Sequence, residues 1–314
     1  MQYYQECIAL GSKTGIVLVS DASTSKIDAL YKKLWRAIFL FERQFSRFLP
    51  GSELSMFNRN AGSKQVISPA FHDILLAAQA MALKTDGLYN PFVLPALQAS
   101  GYVHSRVPGR EQDTVDDHSR KSVTSIDRLE IEDNWARIPY GTALDLGGCG
   151  KGYLADQLRR DLPDIITGYW LSFGGDIAIG GNDEHKESWS VGIQSAVDQT
   201  KNIGTFTISR HCGVATSGIT VHHGTKQGRQ WHHLIDPRTR QPAETDILLA
   251  TICDDSVLRA DVLASCAVIL GSDHCVPFLK RQGVRAAVMQ CRSDKKVPRL
   301  LRFGNGIMIE NNYA

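Results

Sequence analysis

Residues 143–156 read Ala-Leu-Asp-Leu-Gly-Gly-Cys-Gly-Lys-Gly-Tyr-Leu-Ala-Asp, and no other stretch restricts the fold as strongly. A short apolar run carrying an acid, Asp145, passes into four glycines within six residues, Gly147 to Gly152. A helical pattern then starts around Lys151. Glycine lets a backbone turn sharply and approach a neighbour closely. The helix start that follows presents free N–H groups and a partial positive charge, which suits an anion such as phosphate. A plain strand-to-helix connection, in which glycine only relieves crowding, fits the local pattern equally well.

The flanking sequence mixes helices and strands without regular alternation. Thr14–Ser20 reads as a strand, and Ser25 with Asp28 resembles a capping box opening a helix to about Arg43. Ile27, Leu30, Leu34, Ile38, Phe41 and Phe45 give that helix a core-facing stripe. Ser68 and Pro69 open a second helix that runs to about Lys84 and stops at the turn Asp86-Gly87. Two prolines make Tyr89–Leu97 irregular, residues 104–125 read as a flexible surface excursion, and Asp127–Pro139 as a hairpin. Beyond the glycines come a helix to about Leu162 and strands at Gly168–Phe173, Trp189–Gln194, Gly204–Ser209 and Leu248–Cys253. Helices at Leu258–Leu270 and Asp273–Arg281 and strands at Val284–Gln290 and Leu300–Phe303 close the chain. This order predicts an α+β fold, not a doubly wound parallel sheet, in a single domain over residues 1–314.

Composition excludes several partners. With 314 residues the chain can bury a sizeable core. A formal net charge of +2 gives no reason to expect nucleic acid or an anionic membrane. The seven cysteines are scattered with no Cys-x-x-Cys pair, which argues against a zinc site or disulfide framework and suits a reducing compartment. No apolar run is long enough to span a bilayer, and Met1–Gly11 lacks a signal-peptide pattern, so the expectation is a cytoplasmic protein.

Three stretches carry candidate chemistry. Asp261 and Ser265 lie four apart in a helix and share one face, a carboxylate and a hydroxyl that can both hold a hard cation such as Mg²⁺. The same pair also reads as a solvating acid and a small packing residue. His232-His233-Leu234-Ile235-Asp236-Pro237 joins two imidazoles to a carboxylate and a turn, offering a general base or an exposed loop. Gly213–Gly218 offers the hydroxyls of Thr216 and Ser217 in what reads as a loop. No nucleophile elbow, P-loop or Gly-x-Gly-x-x-Gly fingerprint occurs.

Eight segments in order resemble one family: Ala9–Ser12, Phe45–Ser55, Thr85–Pro91, Leu144–Tyr153, Phe173–Ile177, Ala215–Gly218, His233–Thr239 and Ala260–Ser265. The chain resembles the ApbE family of FAD:protein FMN transferases. The resemblance implies a largely antiparallel sheet core with packed helices. It implies a Mg²⁺-dependent enzyme that moves the FMN half of FAD onto a threonine or serine hydroxyl of an acceptor flavoprotein, forming a phosphoester and releasing AMP. Carried over residue by residue, Leu10, Phe48, Leu88, Tyr89, Asn90, Asp145, Lys151 and Ile235 contact FAD. Asp261 and Ser265 hold Mg²⁺ with side-chain oxygens and Gly148 with its carbonyl, while His233 is the base, with His232 adjoining it.

The chain departs from the family at four places. Ser265 stands for a common threonine, Asn90 for aspartate, Leu10 for methionine, and Arg240 for a glycine. A cytoplasmic or cytoplasm-facing acceptor suits the absence of an export signal. Two other activities use the same residues: an FAD pyrophosphatase that yields FMN and AMP, and a non-catalytic flavin-binding protein.

Overall fold

Eight strands form one sheet whose spatial order follows the chain: β1 (Gln2–Ala9), β2 (Ser12–Val19), β3 (Gly168–Phe173), β4 (Asp176–Gly181), β5 (Cys212–Gly218), β6 (Ile247–Asp254), β7 (Ala286–Cys291) and β8 (Arg299–Phe303). Every neighbouring pair is antiparallel. The computed structural model of the chain describes residues 1–103, 105, 124–185, 187–208, 210–221, 223–226, 228–294 and 297–310. Apart from Ser105, Thr124 and Ser125, the surface excursion expected at 104–125 lies outside the described residues.

The helices are insertions in this meander. Between β2 and β3 come α1 (Thr24–Phe45), α2 (Glu53–Arg59), α3 (Pro69–Lys84), α4 (Leu94–Ser100) and α5 (Gly150–Arg160). Between β6 and β7 come α6 (Val257–Leu270) and α7 (Cys275–Arg281). Alternation along β4 divides its side chains between two faces. Ala178 packs with Leu30, Leu34 and Ile38 of α1 and Leu154 and Leu158 of α5, whereas Ile177 and Ile179 pack with Trp189, Val191 and Phe206. The second group belongs to a small sheet of Trp189–Gln194, Asn202–Ile208 and Ile307–Ile309 that covers the other face. The fold is therefore α+β with a largely antiparallel core. Among the described residues no helix is long and apolar enough to cross a membrane.

Several local expectations are corrected. Gly213–Gly218 is not a loop but lies in the central strand β5, paired with β6 from Gly213 to Gly218 and with β4 over Cys212–Val214. Tyr89–Leu97 is not irregular: Pro91 opens a 3-10 turn at Pro91–Val93 and Pro95 lies in the first turn of α4, where a missing N–H costs nothing. The first helix is capped at Ser23 without a side-chain bond, so Ser25 and Asp28 form no capping box. Strand β1 adds to the expected set; it is an edge strand exposed along much of its length, which hides its periodicity.

The last residue of the glycine-rich stretch builds the site from a distance. Asp156 on α5 accepts the Ser256 hydroxyl at 2.6 Å and the N–H groups of Val257 and Leu258 at 3.1 and 3.0 Å. Arg159 pairs with the same carboxylate at 2.9 Å. These are donors at the start of α6, where a helix has N–H groups without internal partners. Gly152 permits the crossing: a Cβ there would lie 2.8 Å from the Leu258 Cα and the Val257 carbonyl oxygen. Asp156→Ala strips three buried or part-buried donors of their acceptor and leaves Arg159 without its carboxylate partner. It is expected to cost about 2–4 kcal/mol in urea unfolding.

Candidate active site

A cavity of about 590 Å³ opens where the β1–β2 turn, the end of α1, the glycine-rich segment, the β3–β4 turn, β5 and α6 meet. The twelve site residues that the family resemblance implies all line it: Leu10, Phe48, Leu88, Tyr89, Asn90, Asp145, Gly148, Lys151, His233, Ile235, Asp261 and Ser265. Their convergence from six separate segments is a tertiary result that no local pattern contains.

One wall is electrostatic. Asp176 follows the turn Gly174-Gly175, whose φ angles of 67° and 105° are the left-handed pair of a tight hairpin. Its carboxylate is 2 % exposed and takes the ammonium of Lys151 and the backbone N–H of Thr216. Burial by itself would lower the Lys151 pKa, but the charges of Asp176 and then Asp261 outweigh it and hold the group above its ordinary value. Lys151 therefore reaches the cavity as a fixed cation.

Asp261 projects from α6 beside this pair. Its Oδ2 is buried without a hydrogen-bond partner, while the Gly152 N–H at the start of α5 donates to the carboxylate. Burial, and then the charge of Asp176, push its pKa up to about 8. One helical turn on, the Ser265 hydroxyl meets the Ser217 hydroxyl at 2.9 Å. An orphaned carboxylate oxygen and a hydroxyl on one helix face are the donor types a hard cation takes, and such an ion would satisfy what the chain leaves open. Gly148, beside the Tyr89 ring, lines the same space.

A pH dependence follows. The folded-state pKa lies above the ordinary value of 3.8, so the metal-free fold binds this proton more tightly than the unfolded chain does. The resulting stability is present at low pH and is lost as pH rises toward about 8. Cation binding must expel the same proton. Divalent-cation affinity is thus expected to rise about tenfold per pH unit below that value and flatten above it, by calorimetric titration between pH ~6 and ~9.

The opposite wall is aromatic. Arg47 pairs with Asp145 at 2.7 Å, donates to the Tyr102 carbonyl at 3.1 Å, and lies 4.1 Å from the Phe48 ring centroid and 4.7 Å from that of Tyr102. Asp145 Oδ1 also accepts the Gly147 N–H at 2.6 Å, so this carboxylate is oriented from both ends. The Tyr102 ring faces His233 edge-on at 6.2 Å between centroids. His232 meets the Ala243 carbonyl at 3.0 Å, and burial lowers its pKa. The adjoining histidines thus differ: His233 lines the cavity and His232 faces the backbone at Ala243. Arg47, Asp176 and Tyr102 are not among the residues the sequence points to, and Ser217 enters there only as one of two hydroxyls in an expected loop. Arg47, Asp176 and Ser217 sit inside the eight resembling segments, which is the signal the sequence offers for them.

Residues 10–289 match the profile of the ApbE family. The chain belongs to this family. An ApbE relative named FAD:protein FMN transferase, from Klebsiella pneumoniae (strain 342), is 26% identical over 276 residues, covering 85% of this chain and 79% of its own. One of the same name from Escherichia coli K12 is 25% identical over 288 residues, with coverages of 87% and 81%. The crystal structure of the ApbE protein of Thermotoga maritima superposes with a TM-score of 0.81 at 20% identity, covering 100% of this chain and 98% of that one. Two departures from the ApbE pattern have local accounts. Arg240 keeps the left-handed conformation, φ 65°, for which glycine is typical. Asn90 caps Phe92 at 2.9 Å with its oxygen and donates its amide to the Thr124 carbonyl at 2.9 Å, which an ionised aspartate cannot do.

Proposed function

We propose that this ApbE-family chain, acting as a single unit, is a Mg²⁺-dependent FAD:protein FMN transferase. The transferase class rests on the family and on the names its relatives carry. The finer reading is supported by one observation above all: an anchored ammonium, an unpartnered buried carboxylate oxygen and a cavity-facing imidazole line one pocket. Asp261, Ser265 and Gly148 would hold Mg²⁺, which supplies charge neutralisation at a diphosphate.

The chain's own groups then divide the work. The hydroxyl oxygen of an acceptor threonine or serine attacks the phosphorus on the FMN side of FAD. The P–O bond to the AMP phosphate breaks and AMP leaves with the electron pair. His233 accepts the hydroxyl proton as the new phosphoester forms. Lys151, held cationic by Asp176, faces the charge that builds on the phosphate oxygens. Phe48, Tyr89 and Leu88 offer the flat and apolar surface that a flavin or adenine ring requires.

The base assignment has a direct test. His233→Ala is expected to lower the transfer rate by about 10²–10⁴-fold while leaving FAD affinity within a few-fold. His232→Ala, whose imidazole serves the Ala243 carbonyl, should leave the chemical step much less affected. Single-turnover transfer followed by in-gel flavin fluorescence of the acceptor separates the two. A larger loss of transfer in the His232 variant would reverse the assignment.

A further inference from the structure

Ser217 and Ser265 bring their hydroxyl oxygens within 2.9 Å across the boundary between β5 and α6. Both line the cavity, and the unpartnered Asp261 Oδ2 belongs to the residue one turn before Ser265. A hydroxyl that ligates a cation turns a lone pair toward it and has to donate its proton elsewhere. A serine inside a helix has a competing acceptor for that proton, the carbonyl four residues back, here that of Asp261. Donation there draws the oxygen onto its own helix backbone. The Ser217 oxygen offers an acceptor on the sheet side instead.

The Ser217 backbone is held in place. Strand β5 pairs with β6 from Gly213 to Gly218, and the neighbouring Thr216 donates to the Thr251 hydroxyl directly opposite at 3.0 Å. Backbone pairing on the sheet therefore sets where Ser217 stands relative to α6. Ser265 stands within α6, and as a serine it lacks the branching that stiffens threonine at χ1, so its hydroxyl direction is open to being set by this contact.

We propose that Ser217 is a positioning residue for the cation site: it accepts the Ser265 proton and fixes a Ser265 lone pair toward the ion shared with Asp261. This inference rests on the metal reading above and adds to it a residue that touches neither substrate nor ion.

A double-mutant cycle on the full-length chain tests it, with Mn²⁺ as the probe and free-ion EPR as the readout, with and without saturating FAD. Ser217→Ala is expected to weaken Mn²⁺ binding roughly tenfold. Ser265→Ala should weaken it at least as much, and the double variant should match Ser265→Ala alone, because Ser217 acts only through Ser265. Wild-type affinity in Ser217→Ala overturns the inference, as does a double variant whose loss is the product of the two single losses, the mark of a direct ligand. Thermal melts accompany each variant; if Ser217→Ala does not fold, the nearly isosteric Ser217→Cys, a much weaker acceptor, takes its place with the same expectations. Asp261→Ala separates the two levels. Unchanged Mn²⁺ affinity in that variant, or no binding by the wild type in either condition, overturns the metal reading and this inference together.

Discussion

Asp261→Ala should remove FMN transfer and make the protein harder to unfold. The loss in rate is expected to reach on the order of 10³-fold or more, since the variant deletes the only cavity-lining carboxylate with an unpartnered oxygen among the described residues. The gain in stability has a separate cause. Asp261 is 5 % exposed, and burial with the neighbouring Asp176 pushes its pKa up to about 8. The unfolded chain gives up this proton near 3.8 and the metal-free fold only near 8, so the stabilising effect of removing Asp261 grows across that range, reaching on the order of 3 kcal/mol at pH ~9 and staying much smaller at pH ~5. Urea titrations at the two pH values, in chelator, measure this. A purely structural Asp261 would show the opposite sign: a destabilised variant at both pH values.

Lys151→Met should be damaging in both respects. Asp176 is 2 % exposed and Lys151 is its cationic partner, so the variant leaves a carboxylate buried without a counter-charge. Breaking one side of such a pair is expected to cost about 3–5 kcal/mol. Pairing Lys151→Met with Asp176→Asn removes the stranded charge and should restore most of that stability. It should not restore transfer, which is expected to stay about 10²–10³-fold down for want of the ammonium facing the phosphates. Urea midpoints and transfer rates for the single and double variants check the two halves independently. Recovery of transfer in the double variant would show that Lys151 serves only to neutralise Asp176.

The parts of this molecule that were legible in the sequence are those specified locally. Ser68 accepts the Phe71 N–H and Pro69 fills the first helical position, so α3 falls where its signals place it. Asp261 and Ser265 share a face because helical spacing puts them there, and Gly152 marks a close approach, though to α6 and not to a phosphate. What was not legible depends on distant partners. Strand β5 reads as a loop because glycine, threonine and serine have no apolar alternation; its strand state comes from pairing with β4 and β6. The role of Asp156 is invisible until α6 arrives beside α5. Asp145 and Arg47 lie about a hundred positions apart and Asp156 and Ser256 100, and no local spacing announces either contact. The family resemblance supplied the candidate site residues that spacing alone left ambiguous, and the fold shows why they meet in one cavity.

We propose that this cavity moves FMN onto a protein hydroxyl. Intact-mass spectrometry of candidate acceptor flavoproteins, after incubation with the chain, FAD and Mg²⁺, tests it most directly. The predicted result is an acceptor heavier by one FMN less one water, on a threonine or serine, with one AMP released per acceptor modified and none of it after chelation. AMP and free FMN released in equal amounts, with every acceptor left at its original mass, would contradict it and identify an FAD pyrophosphatase. FAD retained intact without turnover would contradict it as well, leaving a flavin-binding protein.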